Sequence, residues 1–106
     1  MRLSEFYVTS IIDTIDHYMA NNEGELRLYG SRANPKAKGG DIDLLLLLKT
    51  NKMLEELISN KFIILEKIMQ KIGDQKIDLT INSYEEVSQE PFLKLIYPKS
   101  VLLKQW

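Results

Sequence analysis

YGSRANPKAKGGDIDLLLLL, residues Tyr29 to Leu48, sets Asp41 and Asp43 directly against five consecutive leucines, Leu44 to Leu48. The leucine run is apolar enough to be buried. It is too short for a surface helix and reads as a central strand spanning Asp41 to Lys49. Carboxylates fit poorly there, because an isolated buried charge costs many kcal/mol and usually neutralises or finds a cation. Side chains two apart on a strand share a face, with Cα atoms about 6.5 Å apart. Asp41 and Asp43 therefore point one way, and Ile42 and Leu44 the other.

The same situation recurs in QKIDLTI, Gln75 to Ile81. Ile77, Leu79 and Ile81 face one way there, and Asp78 and Thr80 the other. Aspartate is depleted in strands, yet the two most strand-like segments hold three. If these strands are neighbours, Asp41, Asp43 and Asp78 form one acidic cluster, whose oxygen-only donors suit Mg²⁺ or Mn²⁺ rather than Zn²⁺. Asp78 alone also reads as a partner of Lys76, its same-face neighbour. Ahead of the leucine strand, Gly30 permits a sharp turn and close approach by a ligand. Ser31 opens a helical turn whose N–H groups favour an anion. Arg32 adds positive charge, whereas Lys36 and Lys38 read as a solvated loop. A phosphate cradle beside a cation cluster is the arrangement in which two metal ions, about 3.5–4 Å apart, stabilise attacking and leaving oxygens.

The remaining chain supplies a frame. Ser4 caps a first helix, whose stripe of Val8, Ile11, Ile12, Ile15, Tyr18 and Met19 runs to about Asn21. Glu25 to Tyr29 alternates as a short strand. Apolar residues from Met53 to Met69 recur at helical spacing, as one helix kinked near Asn60 or as two, and Gly73 stands at the helix C-terminus. Ser83 and Glu86 have capping-box spacing. Pro91 begins a further helix through Leu95 and Ile96, and SVLLK reads as a closing strand. The expectation is a single α/β domain over residues 1–106, a small mixed sheet packed against helices. His17, the sole histidine, lies beside the first helix's apolar stripe and reads as a surface or partly packed residue.

Fourteen basic and fifteen acidic residues leave a net charge of −1, which argues against direct nucleic-acid or anionic-membrane binding. There is no cysteine, hence no disulfide frame or thiolate metal site, consistent with a cytoplasmic location. MRLSEFYV lacks a signal-peptide apolar stretch, and no run is long enough to span a membrane.

Taken together, Gly30-Ser31, nine intervening residues, Asp41-Ile42-Asp43 and Asp78 in a later strand resemble the nucleotidyltransferase fold of the DNA polymerase β superfamily. The start GSRA is most similar to the minimal nucleotidyltransferases, the MntA-type antitoxins paired with HEPN-domain toxins. The chain departs from many of these at Asn34-Pro35, where they carry glycine, and at Gly40, where they carry serine. The resemblance covers about residues 26–79. It implies ATP held at Gly30 and Ser31 with Arg32 beside it, and two Mg²⁺ ions (or Mn²⁺) on Asp41, Asp43 and Asp78. The expected reaction is AMP transfer to a hydroxyl, a tyrosine of the HEPN toxin, with release of pyrophosphate. Alternative readings are an antitoxin that neutralises its partner by binding alone, and a transferase acting on a small-molecule hydroxyl.

Overall fold

The computed structural model describes residues 1–106. Ser4 caps α1 (Glu5–Met19) by accepting from the Tyr7 N–H at 3.2 Å. The chain then turns into β1 (Gly24–Tyr29) and a single 3₁₀ turn, Gly30–Ala33. After the loop comes β2 (Ile42–Leu48), the leucine strand, starting one residue later than its alternation suggests. The helical stretch that follows is two helices, α2 (Leu54–Ser59) and α3 (Lys61–Ile72), divided at Asn60. Gly73, at φ +87°, ends α3 with its N–H on the Met69 carbonyl at 2.8 Å, a left-handed conformation that glycine adopts without penalty.

Next, β3 (Ile77–Ser83) begins two residues later and ends two later than the sequence pattern indicates. Its last residue, Ser83, forms the expected capping box with Glu86, opening a 3₁₀ turn over Tyr84–Ser88. Glu90 caps α4 (Pro91–Ile96), and a 3₁₀ turn at Tyr97–Lys99 leads into β4 (Val101–Gln105). No helix is long and apolar enough to cross a membrane.

The sheet order is β3-β2-β1-β4. β1 runs antiparallel to both β2 and β4, while β2 and β3 are parallel and joined through α2 and α3. This is the mixed sheet expected from the order of elements. The leucine run serves both faces of the sheet. Ile42, Leu44, Leu46 and Leu48 join Leu26, Leu28, Leu79 and Ile81 against α1 and α3. Leu45 and Leu47 face the opposite side, where Leu93 of α4 and Tyr29 cover them. A strand buried on both faces reads as a continuous apolar run rather than an alternating one.

Burial orders the consequences of mutation. Leu46 is fully buried at the centre of the larger core, whereas Phe62 on α3 is 78% exposed. Leu46→Ala should cost about 3 kcal/mol of unfolding free energy in urea titration, and Phe62→Ala less than about 0.5 kcal/mol.

Candidate active site

The parallel pairing of β2 and β3 sets Asp43 opposite Asp78, with Leu45 opposite Thr80 and Leu47 opposite Asn82. Strands about 4.8 Å apart place the two carboxylates side by side on the sheet face that carries α4. On the other flank, β1 brings Tyr29 opposite Asp43. The Tyr29 hydroxyl lies 3.3 Å from Thr80 Oγ1, so its ring crosses the face of β2 beside the acidic pair. Burial, and then the charges of Asp78 and Asp41, push the Asp43 carboxyl above the usual carboxylate range, with Lys76 only partly opposing them. The same burial, reinforced by Asp78 and Asp43, raises the Tyr29 phenol.

Gly30 is where the chain must lack a side chain. It has φ +75°, and a Cβ built there would overlap Asp43 Oδ2. Turn and carboxylate are thus in direct contact, so the turn that begins GSRA is built around Asp43. Ser31 packs under Gly39, at φ +148°, where a Cβ would come within 2.6 Å of Ser31 Oγ. Two arginines close the loop. Arg32 donates from Nε and Nη2 to the Gly40 carbonyl at 3.2 and 3.0 Å, and from Nη1 to the Arg2 carbonyl at 3.1 Å. Arg2 returns the contact, its N–H on the Arg32 carbonyl at 2.7 Å and its Nη2 on the carbonyls of Ser31 and Gly39. Arg32 thereby acts first on the loop. The part played by Arg2 was not legible, because it is 29 residues distant from Ser31 along the chain.

Asp41 stands just before β2, and its carboxylate pairs with Lys76 at 3.6 Å. Lys76 therefore meets Asp41 rather than Asp78, because the Ile42 N–H bonds to the Lys76 carbonyl and so brings residues 41 and 76 alongside. As the side chains stand, no three carboxylates converge into a metal-holding group. Asp43 and Asp78 are brought together, and Asp41 is held aside. That Asp41 contact is weak: Lys76 is 82% exposed and Asp41 52%, and exposed pairs are worth under about 1 kcal/mol. Two oxygen donors on facing strands, an unneutralised Asp43 and a third carboxylate one weak ion pair away suit a hard divalent cation.

A family model for the nucleotidyltransferase domain matches residues 14–99, which spans Gly30, Ser31 and all three aspartates. The chain belongs to the nucleotidyltransferase domain family. It is a transferase of nucleoside monophosphates, in a family that typically works on nucleoside triphosphates with divalent metals. The fold agrees. A crystal structure from Sulfolobus solfataricus, provisionally assigned as a nucleotidyltransferase, superposes with a TM-score of 0.50 at 18% identity, covering 96% of this chain and 89% of that one. Among curated proteins none matches.

At the far end of the same sheet face, this nucleotidyltransferase carries a second polar centre. Glu25 is almost fully buried, yet it accepts from Arg27 Nε at 2.5 Å, from the Tyr97 hydroxyl at 3.1 Å and from the Tyr84 hydroxyl. The Arg27 guanidinium lies 4.3 Å over the Tyr97 ring and donates to Ser100 Oγ at 3.2 Å. Burial alone would raise the Glu25 carboxyl, but the bonds from Arg27, Tyr84 and Tyr97 outweigh it and hold it below the usual range. The alternation of ELRLY puts Glu25, Arg27 and Tyr29 on one face. It gives no hint of tyrosines 59 and 72 residues away.

The two centres respond oppositely to pH. A raised carboxyl binds more protons folded than unfolded, so metal-free stability falls as pH rises from about 3.9 through the folded value of Asp43. Asp43→Asn removes that loss. In EDTA at pH 7 its melting temperature should equal or exceed that of the wild type, and a drop of several degrees would contradict the excess of negative charge. Glu25 is the reverse case, its stabilisation present above about pH 4.3 and lost as pH falls through its lowered value. Glu25→Gln should cost about 2 kcal/mol at neutral pH, a deficit that shrinks on acidification when followed by urea denaturation.

Proposed function

We propose that this nucleotidyltransferase moves AMP from ATP to a protein hydroxyl, a tyrosine of a HEPN-type toxin, and acts in the cytoplasm as that toxin's antitoxin. The observation that carries the transfer chemistry is the facing of Asp43 and Asp78 on adjacent parallel strands, against the Gly30 turn. The acceptor reading draws on the likeness of GSRA and the three aspartates to the minimal antitoxin enzymes.

In this reading Asp41, Asp43 and Asp78 are the residues that would hold two Mg²⁺ ions, with Mn²⁺ as a substitute, which would require Asp41 to release Lys76. Divalent ions, when bound, neutralise the triphosphate and the charge developing on the leaving pyrophosphate. The Gly30-Ser31 turn receives the triphosphate, and Arg32, while closing the loop, adds positive charge beside it. Asp78 is exposed to solvent and so open to an incoming hydroxyl. It takes the proton as the acceptor oxygen bonds to the α-phosphorus and the bond to pyrophosphate breaks.

With the cognate toxin, Mg²⁺ and ATP, intact-mass measurement should show AMP on the toxin and none on this chain. Asp43→Asn should slow the transfer about a hundredfold or more, with complex formation retained in pull-down. Ser31→Ala should cost less, since the backbone N–H groups of the turn remain. Full protection of cells by a variant carrying both Asp41→Asn and Asp43→Asn would overturn the enzymatic reading in favour of neutralisation by contact.

A further inference from the structure

Arg2 holds three carbonyls of the loop between β1 and β2, and they come from both of its ends. Its backbone N–H donates to the Arg32 carbonyl at 2.7 Å. One side-chain nitrogen, Nη2, donates to the Ser31 and Gly39 carbonyls at 3.3 and 3.1 Å. We propose that Arg2 is a positioning residue for the triphosphate, drawing the Gly30–Ala33 turn and the Gly39-Gly40 arm together into one anion-binding surface. The inference rests on the transferase reading above.

Peptide geometry gives the first reason. A trans peptide is planar, so its C=O and N–H point in opposite directions. With the Gly39 carbonyl turned to Arg2, the Gly40 N–H is turned away from it, and that N–H donates to no carbonyl of the chain. Ser31 Oγ is close by, 2.6 Å from where a Cβ on Gly39 would lie. The guanidinium thereby sets the spacing of two donors, the Ser31 hydroxyl and the Gly40 N–H. Two consecutive glycines would otherwise leave that arm free to wander, Gly39 standing at φ +148°. Holding it in advance lowers the ordering cost that an anion meets on binding.

Charge gives the second. Carbonyls are neutral, so these bonds leave the charge of the guanidinium uncompensated. Neither Arg2 nor Arg32 enters an ion pair of the fold, although the chain has fifteen acidic residues. The Nε of Arg2 is buried and meets no acceptor at all, a costly state for a donor on a charged group. A tie with a structural purpose alone is better made to a carboxylate, as Arg27 is to Glu25. Two uncompensated cations on one loop call for an anion from solution, and a triphosphate is multiply charged.

Calorimetric titration with inorganic tripolyphosphate in Mn²⁺ reads this effect without nucleoside or acceptor. Arg2→Gln should weaken tripolyphosphate about tenfold or more, with only a small fall in ligand-free melting temperature. Arg2→Lys keeps the charge but not the planar fork, and should recover part of the loss. It is also the milder change, and keeps the test open should Arg2→Gln unfold the chain. Lys38→Gln removes a charge from an exposed position of the same loop, and screening should hold its effect below about twofold. In amide-resolved NMR spectra the Gly40 N–H should shift on adding tripolyphosphate to the wild type and stay in place in Arg2→Gln. Undiminished affinity in either Arg2 variant, an equal loss in Lys38→Gln, or a Gly40 amide unmoved in the wild type would overturn the role of Arg2 and leave the transferase reading standing. Failure of the wild type to bind tripolyphosphate and α,β-methylene-ATP alike would overturn that reading, and the role of Arg2 with it.

Discussion

Register between β2 and β3 governs both the stability of the sheet and the position of its acidic pair. With side chains alternating at period two, a slip of one residue would turn Leu79 and Ile81 away from α1 and α3 and bring Asp78 and Thr80 in. Several fully buried branched side chains on that face oppose such a slip, each worth about 2–5 kcal/mol when truncated. Against this stands the repulsion of Asp43 and Asp78. Two charges about 5 Å apart at an effective dielectric near 20 repel by about 3 kcal/mol. The apolar layer outweighs it, so the carboxylates are held together by leucine and isoleucine packing on the opposite side of the sheet.

The sheet face that carries α4 has two polar ends with an apolar patch of Leu45, Leu47 and Leu93 between them. Both ends hold burial-perturbed carboxyls, and the directions differ. Glu25 is lowered because an arginine and two phenols converge on it, so its charge is satisfied within the chain. Asp43 is raised because burial and other carboxylates surround it, so its charge is not. A satisfied buried carboxylate anchors structure, and an unsatisfied one is a candidate for chemistry. The Tyr97 bond to Glu25 also fixes the 3₁₀ turn that follows α4 against the sheet.

Periodicity and spacing made much of this legible. The strand alternations predicted which side of β2 and β3 the aspartates face, and the parallel register between those strands brings Asp43 and Asp78 together as expected. The glycine at the end of β1 was readable as a turn residue, though its contact with Asp43 Oδ2 requires the fold. What stayed hidden depends on contacts distant in sequence. Lys76 pairs with Asp41 because of strand order, which local spacing does not encode. Arg2 and Arg32 serve the loop because the N-terminal segment runs alongside it. Alternation puts Leu45 and Leu47 on the side of Asp43, but that α4 would cover them there with Leu93 is a contact distant in sequence.

Arg2 and Arg32 spend guanidinium donors on main-chain carbonyls, and Arg27 is committed to Glu25. The ion pair of Lys76 with Asp41 is therefore the only one that any of the three aspartates makes, and it is largely exposed. A structural salt-bridge centre would be built the other way, with its strongest cation buried against the most buried carboxylate, as Arg27 is against Glu25. At Asp43 the fold instead withholds its arginines and leaves one displaceable lysine at the rim. That distribution leaves Asp43 and Asp78 without an ion-pair partner from within the chain, and the loop arginines, fixed by main-chain carbonyls, do not supply one.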